Sequence, residues 1–215
     1  LARPGLQLER RATVTRVILE GQVARGVEYL QDGTPRQARA TREVVICAGG
    51  YQSPKLLMLS GIGDPDELAT HGIASTVASK GVGKNLQNHP GVDVQYLTDR
   101  EHSMTSQLGP LGRARIGVEW AVARRGLGGD NFFEAGAFLR TRDDVTFPNM
   151  QYEFLPLTRK LINGKLVPIA GFQVWMDLSR PLSRGEVTLR SADPGENPSV
   201  VFNTYAQRQD LLDMI

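Results

Sequence analysis

A short apolar run, Val44-Val45-Ile46-Cys47-Ala48, passes into Gly49-Gly50 and then into Ser53-Pro54-Lys55-Leu56-Leu57-Met58-Leu59-Ser60-Gly61. Few arrangements suit such a segment. Consecutive apolar residues rich in valine and isoleucine predict a buried strand. The paired glycines end that strand where a backbone can approach a ligand closely. Ser53-Pro54 is the pattern of a helix N-cap followed by proline at the first helical position. Leu56, Leu57 and Leu59 then form the side to be buried, and Ser60-Gly61 stops the helix. A strand-to-helix turn with capped amides offers donors to an anionic or ribosyl group. An ordinary strand–turn–helix with no ligand is the other reading.

The flanking sequence sets this unit in a larger plan. Residues 12–19 and 23–30 are β-rich runs separated by Glu20-Gly21-Gln22, a hairpin signal, and Asp32-Gly33 marks the next turn. A second helix opens at Asp64, with Pro65 in its first turn, Glu67 completing a capping box and Gly72 ending it. After Pro90 the texture changes. Residues 92–96 alternate like a strand with one solvated face. Residues 113–125 predict a helix whose apolar side is Ile116, Trp120 and Val122 or Ala123, and 126–129 form a glycine-rich loop. Alternating runs follow at 136–139, 150–155, 172–178 and 186–189, while 157–170 reads as variable loop. The expected class is α+β: part of an α/β domain over residues 1–90, then an antiparallel sheet with helices over 91–215.

Composition narrows the function classes. At 40% hydrophobic and 22% charged residues, the 215-residue chain has the make-up of a soluble globular protein. The formal charge is only +2, and Arg113, Arg115, Arg124 and Arg125 are spread along a helix, so no dense basic stripe marks a nucleic-acid binder. Cys47 is the single cysteine, which excludes an intrachain disulfide and predicts a buried thiol. His71, His89 and His102 are scattered and show no metal-ligand spacing. No apolar run reaches membrane-spanning length, and a cytoplasmic location is expected. The chain begins at Leu1 without signal-peptide architecture and stops within an apparent amphipathic helix at 211–215, so an internal piece of a longer protein is expected.

Two glycine-rich segments carry a family likeness. The stretch from Gly49 through Ser60-Gly61-Ile62-Gly63 resembles the second signature of the glucose–methanol–choline oxidoreductases. Gly50 stands where that family prefers a slightly larger small residue. Gly81-Val82-Gly83-Lys84-Asn85-Leu86-Gln87-Asn88-His89 resembles a second family stretch, with Asn88 in place of the usual aspartate. Taken alone, that stretch is only a glycine-rich loop. It is not a phosphate-binding loop, because Asn85 follows Lys84, nor a dinucleotide fingerprint, because Leu86 occupies the third glycine position. Residues 131–138, 147–156, 183–187 and 193–203 are similar to the choline-oxidising members of the family.

That resemblance implies an FAD-dependent enzyme that oxidises a CH–OH group, choline or a similar alcohol, by hydride transfer to the flavin. It places Val14, Ala48, Gly49, Ser53 and Pro54 near FAD, with the isolated chain binding FAD weakly or not at all. The family's dinucleotide fingerprint does not occur here, and its catalytic histidine is expected beyond the C-terminus. N- and C-terminal segments of a parent protein and a small-molecule alcohol are the expected partners. Glu134, flanked by Phe132 and Phe133, can bind a quaternary ammonium by charge and cation–π attraction; the alternative is a solvated strand residue beside core phenylalanines. Tyr152, Phe154 and Phe172 are candidate pocket aromatics, although aromatics in alternating strands are mostly core. The competing function class is a non-catalytic module that binds a ligand or partner.

Overall fold

The computed structural model describes residues 3–99, 103–133 and 135–215. In chain order the first elements are β1 (Ala12–Glu20), β2 (Val23–Gln31), β3 (Thr34–Arg39), α1 (Gly49–Leu59), β4 (Ile62–Gly63), α2 (Pro65–Thr70), β5 (Val77–Ala78) and β6 (Lys84–Leu86). They are followed by β7 (Gly91–Leu97), α3 (Pro110–Ala123), β8 (Ala135–Leu139), β9 (Met150–Leu155), β10 (Thr158–Ile162), β11 (Lys165–Ile169) and β12 (Gly171–Leu178). The last are β13 (Gly185–Thr188), β14 (Ser199–Val201) and α4 (Arg208–Asp213). Helices and mainly antiparallel sheets make this an α+β chain, as expected.

Two compact units emerge. The first holds residues up to Gln87 together with Arg184–Asn203, and the second holds Asn88–Ser183 with Thr204–Ile215. The return of residues 184–203 to the first unit was not part of the division expected near residue 90. It arises because β13 pairs on one side with β6 and on the other with β14.

In the first unit, β1, β2 and β3 form an antiparallel meander. Its two turns are made by Gly21 and by Asp32-Gly33, all at positive φ. Helix α1 docks on β1 through Ser60, whose Oγ accepts the Val17 N–H at 2.8 Å and donates to the Leu56 carbonyl at 2.6 Å. Met58, Leu68 and Leu189 make the buried core, with Leu59, Ile73 and Val82 packed around them. The second glycine-rich stretch has a structural reason here. Gly83 has φ +77°, a Cβ there would overlap the Val187 carbonyl oxygen, and the Val187 N–H donates to Gly83 O at 2.7 Å.

Four expectations for this unit are corrected. Residues 44–48 form no strand, and Val45 is 73% exposed. A strand needs a neighbour, and no described strand pairs with this run. Cys47 is accordingly exposed rather than buried. Helix α1 opens at Gly49, not at Ser53-Pro54, so Pro54 lies inside it. Gly49 makes the entry with φ +83°, and Ser53 Oγ reaches back to accept the Ala48 N–H at 3.1 Å. The start of α2 follows the sequence, with the Asp64 side chain capping the Asp66 N–H, but the capping box does not close. Glu67 turns instead to Lys84, at 3.0 Å, and its Oε1 is buried without a partner.

The second unit is built on a four-stranded antiparallel sheet in the order β7-β12-β9-β8. Its strands match the alternating runs closely. Helix α3 begins earlier than expected, at Pro110, and ends as Arg124 takes φ 53°. Val122 is 83% exposed, so it does not belong to an apolar packing side. Gly128 is glycine because a Cβ would come within 2.8 Å of the Trp120 Cβ. Residues 158–169, expected as loop, form an antiparallel hairpin of β10 and β11. Asp210 of α4 ties the unit's end to residues 182 and 183, accepting both backbone N–H groups at 2.7 Å.

Candidate functional site

The first unit contains a cleft of about 600 Å³ between β1, α1 and a loop around Pro194. Ala12, Thr13 and Val14 supply the β1 side and Ala48 the entry to α1. Gln52, Lys55, Leu56 and Leu59 line it from α1, because residues three or four apart share one helical face. Pro194, Gly195 and Asn197 close the remaining side. The loop is held by Lys55, only 6% exposed, whose Nζ donates to the Pro194 carbonyl at 2.7 Å. An Asx turn shapes it further, with the Gly195 N–H donating to Asp193 Oδ1 at 2.8 Å. The cleft therefore combines aliphatic walls with the Gln52 and Asn197 amides and one buried ammonium. That set suits a flat heterocycle carrying polar edges and an anionic group.

Of the expected cofactor residues, the structure brings Val14 and Ala48 together on this cleft. Gly49, Ser53 and Pro54 lie in the first turns of α1, beside the cleft rather than among its lining residues. The space beside Gly49 is open: a Cβ there would meet nothing within 4 Å. Gln52, Lys55, Leu56 and Leu59 were missed, although their spacing after Ala48 marks them as one helical face. Pro194, Gly195 and Asn197 carry no local signal at all, since the approach depends on a contact across 139 positions.

Beside the core, Lys84 bridges two carboxylates, Glu186 at 2.9 Å and Glu67 at 3.0 Å. The hydrogen bond to Glu186 holds its ammonium above the ordinary lysine range; burial opposes it, and the hydrogen bond to Glu67 adds to it. Lys84, in the second glycine-rich stretch, thereby joins α2 to β13.

In the second unit the register of β7, β12 and β9 sorts side chains onto two faces. Tyr152, Phe154 and Phe172 share one face with Tyr96 and Val94. Phe172 stacks on Tyr96 with ring centroids 5.0 Å apart and meets Phe154 at 5.7 Å. The opposite face is polar. Trp175 is paired with Glu153 on one side and Asp93 on the other, so an indole stands between two carboxylates. Gln173, buried, donates to Asp93 at 3.0 Å, Gln151 donates to Glu153, and the Trp175 Nε1–H donates to Asp177 at 3.1 Å. Glu134, the expected cation partner, lies outside the described residues, as does His102. His89 lies 3.6 Å from Asp177. Among the described residues no group of histidine, cysteine and carboxylate side chains could hold a metal ion, and no helix is long and apolar enough to cross a membrane.

Residues 1–91 match the family model for GMC oxidoreductases. An oxygen-dependent choline dehydrogenase of Burkholderia cenocepacia (strain HI2424) is 39% identical over 208 residues, covering 97% of this chain. The enzyme of the same name from Chromohalobacter salexigens is 40% identical over the same length. The chain spans 37% of the length of these curated relatives. Among solved structures, a variant of the formate oxidase of Aspergillus oryzae RIB40 superposes with a TM-score of 0.83 at 29% identity. The match covers 94% of this chain and 41% of that one. An FAD-dependent oxidoreductase from Chaetomium thermophilum superposes at 0.80 with 18% identity, covering 98% of this chain and 43% of its own, a likeness of fold.

Proposed function

This chain belongs to the GMC oxidoreductase family, and we propose that it forms part of an FAD-dependent enzyme that oxidises an alcohol. The observation that carries this reading is the meeting of Val14 and Ala48 on one cleft, within the segment that matches the family. The residues present fit part of a flavin dinucleotide. The cleft is large enough for a nucleoside portion, Gln52 and Asn197 can bond the edge of a base, and Lys55 adds positive charge. Gly49 leaves its backbone open to a close approach. Bound FAD supplies the acceptor for the hydride that leaves the alcohol carbon. The chain's own residues bind and orient; the proton-accepting histidine is assigned to a part of the full-length protein outside this chain. Residues 1–90, joined by the returning strands β13 and β14, form the flavin-binding part, and the remainder the substrate-binding part.

The test is a full-length protein carrying this segment, with Ala48→Trp placed to fill the cleft. Purified variant should lose most of its flavin absorbance while its far-ultraviolet circular dichroism stays that of the parent. Unchanged flavin content would remove the cleft from the cofactor site.

We assign choline, or an alcohol bearing a similar cation, as the substrate. The identity to choline dehydrogenases supports this. Glu134 supplies the cation's countercharge in this reading, with Tyr152, Phe154 and Phe172 as aromatic neighbours within the same part of the chain. Glu134→Gln in the full-length protein should weaken choline binding at least about tenfold. The carbon isostere, in which the quaternary nitrogen is replaced by carbon, should bind almost as before. Equal losses for both would make Glu134 a structural residue.

A further inference from the structure

Lys55 reaches a loop that is otherwise bonded to itself. Lysine is seldom buried as deeply as this, and an ammonium taken out of water is costly unless it is bonded. Its partner is the Pro194 carbonyl at 2.7 Å, a short charge-assisted contact. Proline brings a carbonyl and no N–H, so at this position the backbone can only accept. Both residues belong to the first unit, and the contact needs no segment outside this chain.

The loop runs between β13 and β14, with Leu189 in the core at one end and β14 paired to β13 at the other. Its own hydrogen bonds are local. The Asp193 N–H donates to Ser191 Oγ at 3.1 Å, and the Gly195 N–H to Asp193 Oδ1 at 2.8 Å. The Glu196 N–H donates to the Asp193 carbonyl at 3.2 Å, and Ser191 Oγ donates to Glu196 Oε2 at 2.6 Å. These bonds fix the shape of the loop and not its place. Among the described residues, the hydrogen bond that joins residues 190–197 to another element is the one from Lys55. Without it, Pro194, Gly195 and Asn197 keep their turn but lose their position against the α1 face of the cleft they line.

We infer that Lys55 is a positioning residue for the flavin nucleotide, acting through Pro194 to hold Gly195 and Asn197 against the cofactor and so to retain it. The inference rests on the flavin reading of this cleft and adds to it which residue keeps the cleft closed.

The test follows FAD release, because changes of affinity within one site fall mostly on dissociation. A full-length protein carrying this segment is purified with its flavin and diluted, and the fluorescence of released FAD is recorded over time. Lys55→Met should release FAD at least about tenfold faster than the parent. Lys84→Met removes another bonded lysine of the same unit that does not line the cleft, and should leave the rate unchanged. Equal acceleration by both would assign the effect to lost stability and overturn the inference. Asn197→Ala should also hasten release, and adding Lys55→Met to it should hasten release little further, because the two act as one unit. Effects that simply multiply would make Lys55 a direct charge on the cofactor, and would overturn the inference as well. Ala48→Trp separates this role from the cofactor assignment. If it loses its flavin while Lys55→Met releases at the parental rate, the positioning role alone fails. If it keeps its flavin, the cleft reading fails and this inference with it.

Discussion

The ammonium of Lys55 donates to the carbonyl oxygen of Pro194 at 2.7 Å, fastening a loop from late in the sequence over the helix that follows Gly49. That contact closes the cleft on which the functional reading rests. Lys55 is buried, and a hydrogen bond involving a charged donor contributes about 1.5–3 kcal/mol. Lys55→Met should lower the unfolding free energy by an amount of that order, read as a lower urea midpoint with the denaturant slope unchanged. An unaltered midpoint would mean that the loop is held by its Asx turn alone.

Ser60→Ala should cost about 1–3 kcal/mol, because it leaves the Val17 N–H, in the buried seam between β1 and α1, without its acceptor. Thermal unfolding of the variant beside the parent reads this directly. A shift no larger than that of an exposed serine replacement would show that water takes over the bond.

The glycines of the second glycine-rich stretch should part company. Gly83→Ala combines a left-handed φ with an overlap on the Val187 carbonyl, and should destabilise by more than about 3 kcal/mol or prevent soluble expression. Gly81→Ala meets nothing within 4 Å, and should stay within about 0.5 kcal/mol of the parent. Equal effects at both would remove the packing explanation.

Lys84 gives a dependence on pH. Its ammonium is held above the ordinary lysine range by Glu186 first and Glu67 second. A raised folded-state value means that the stabilisation is fully present below the unfolded value, about 10.4, and is lost as pH rises through the folded value. The difference in unfolding midpoint between the parent and Lys84→Met should be level through neutral pH and shrink only in strongly alkaline buffer. A difference that vanished near neutrality would contradict the bridge.

Much of this was legible in the sequence, for local reasons. Met150–Leu155 was found from its alternation, and α2 from Asp64-Pro65 and Gly72, because period-two patterning and helix caps are written within a few residues. The failures share one cause, in that each depended on a neighbour distant in sequence. Residues 44–48 have a strand's composition but no strand beside them. Glu67 has the position of a capping-box residue, yet Lys84 offers it a charge. The β10–β11 hairpin was hidden because lysines and leucines alternate weakly there and its turn, Asn163-Gly164, was read as loop. For the site, Val14 and Ala48 came from family likeness, whereas Lys55 and Pro194 needed the fold.

The central claim is that this segment belongs to an enzyme that passes hydride from an alcohol to FAD, and one spectrum tests it most directly. A full-length protein carrying this segment would be purified, made anaerobic and scanned in the visible range before and after choline is added. The account predicts the absorbance bands of oxidised flavin at the outset and their bleaching on addition of choline. Protein that purifies without flavin, or flavin that neither choline nor any other alcohol bleaches, would contradict it.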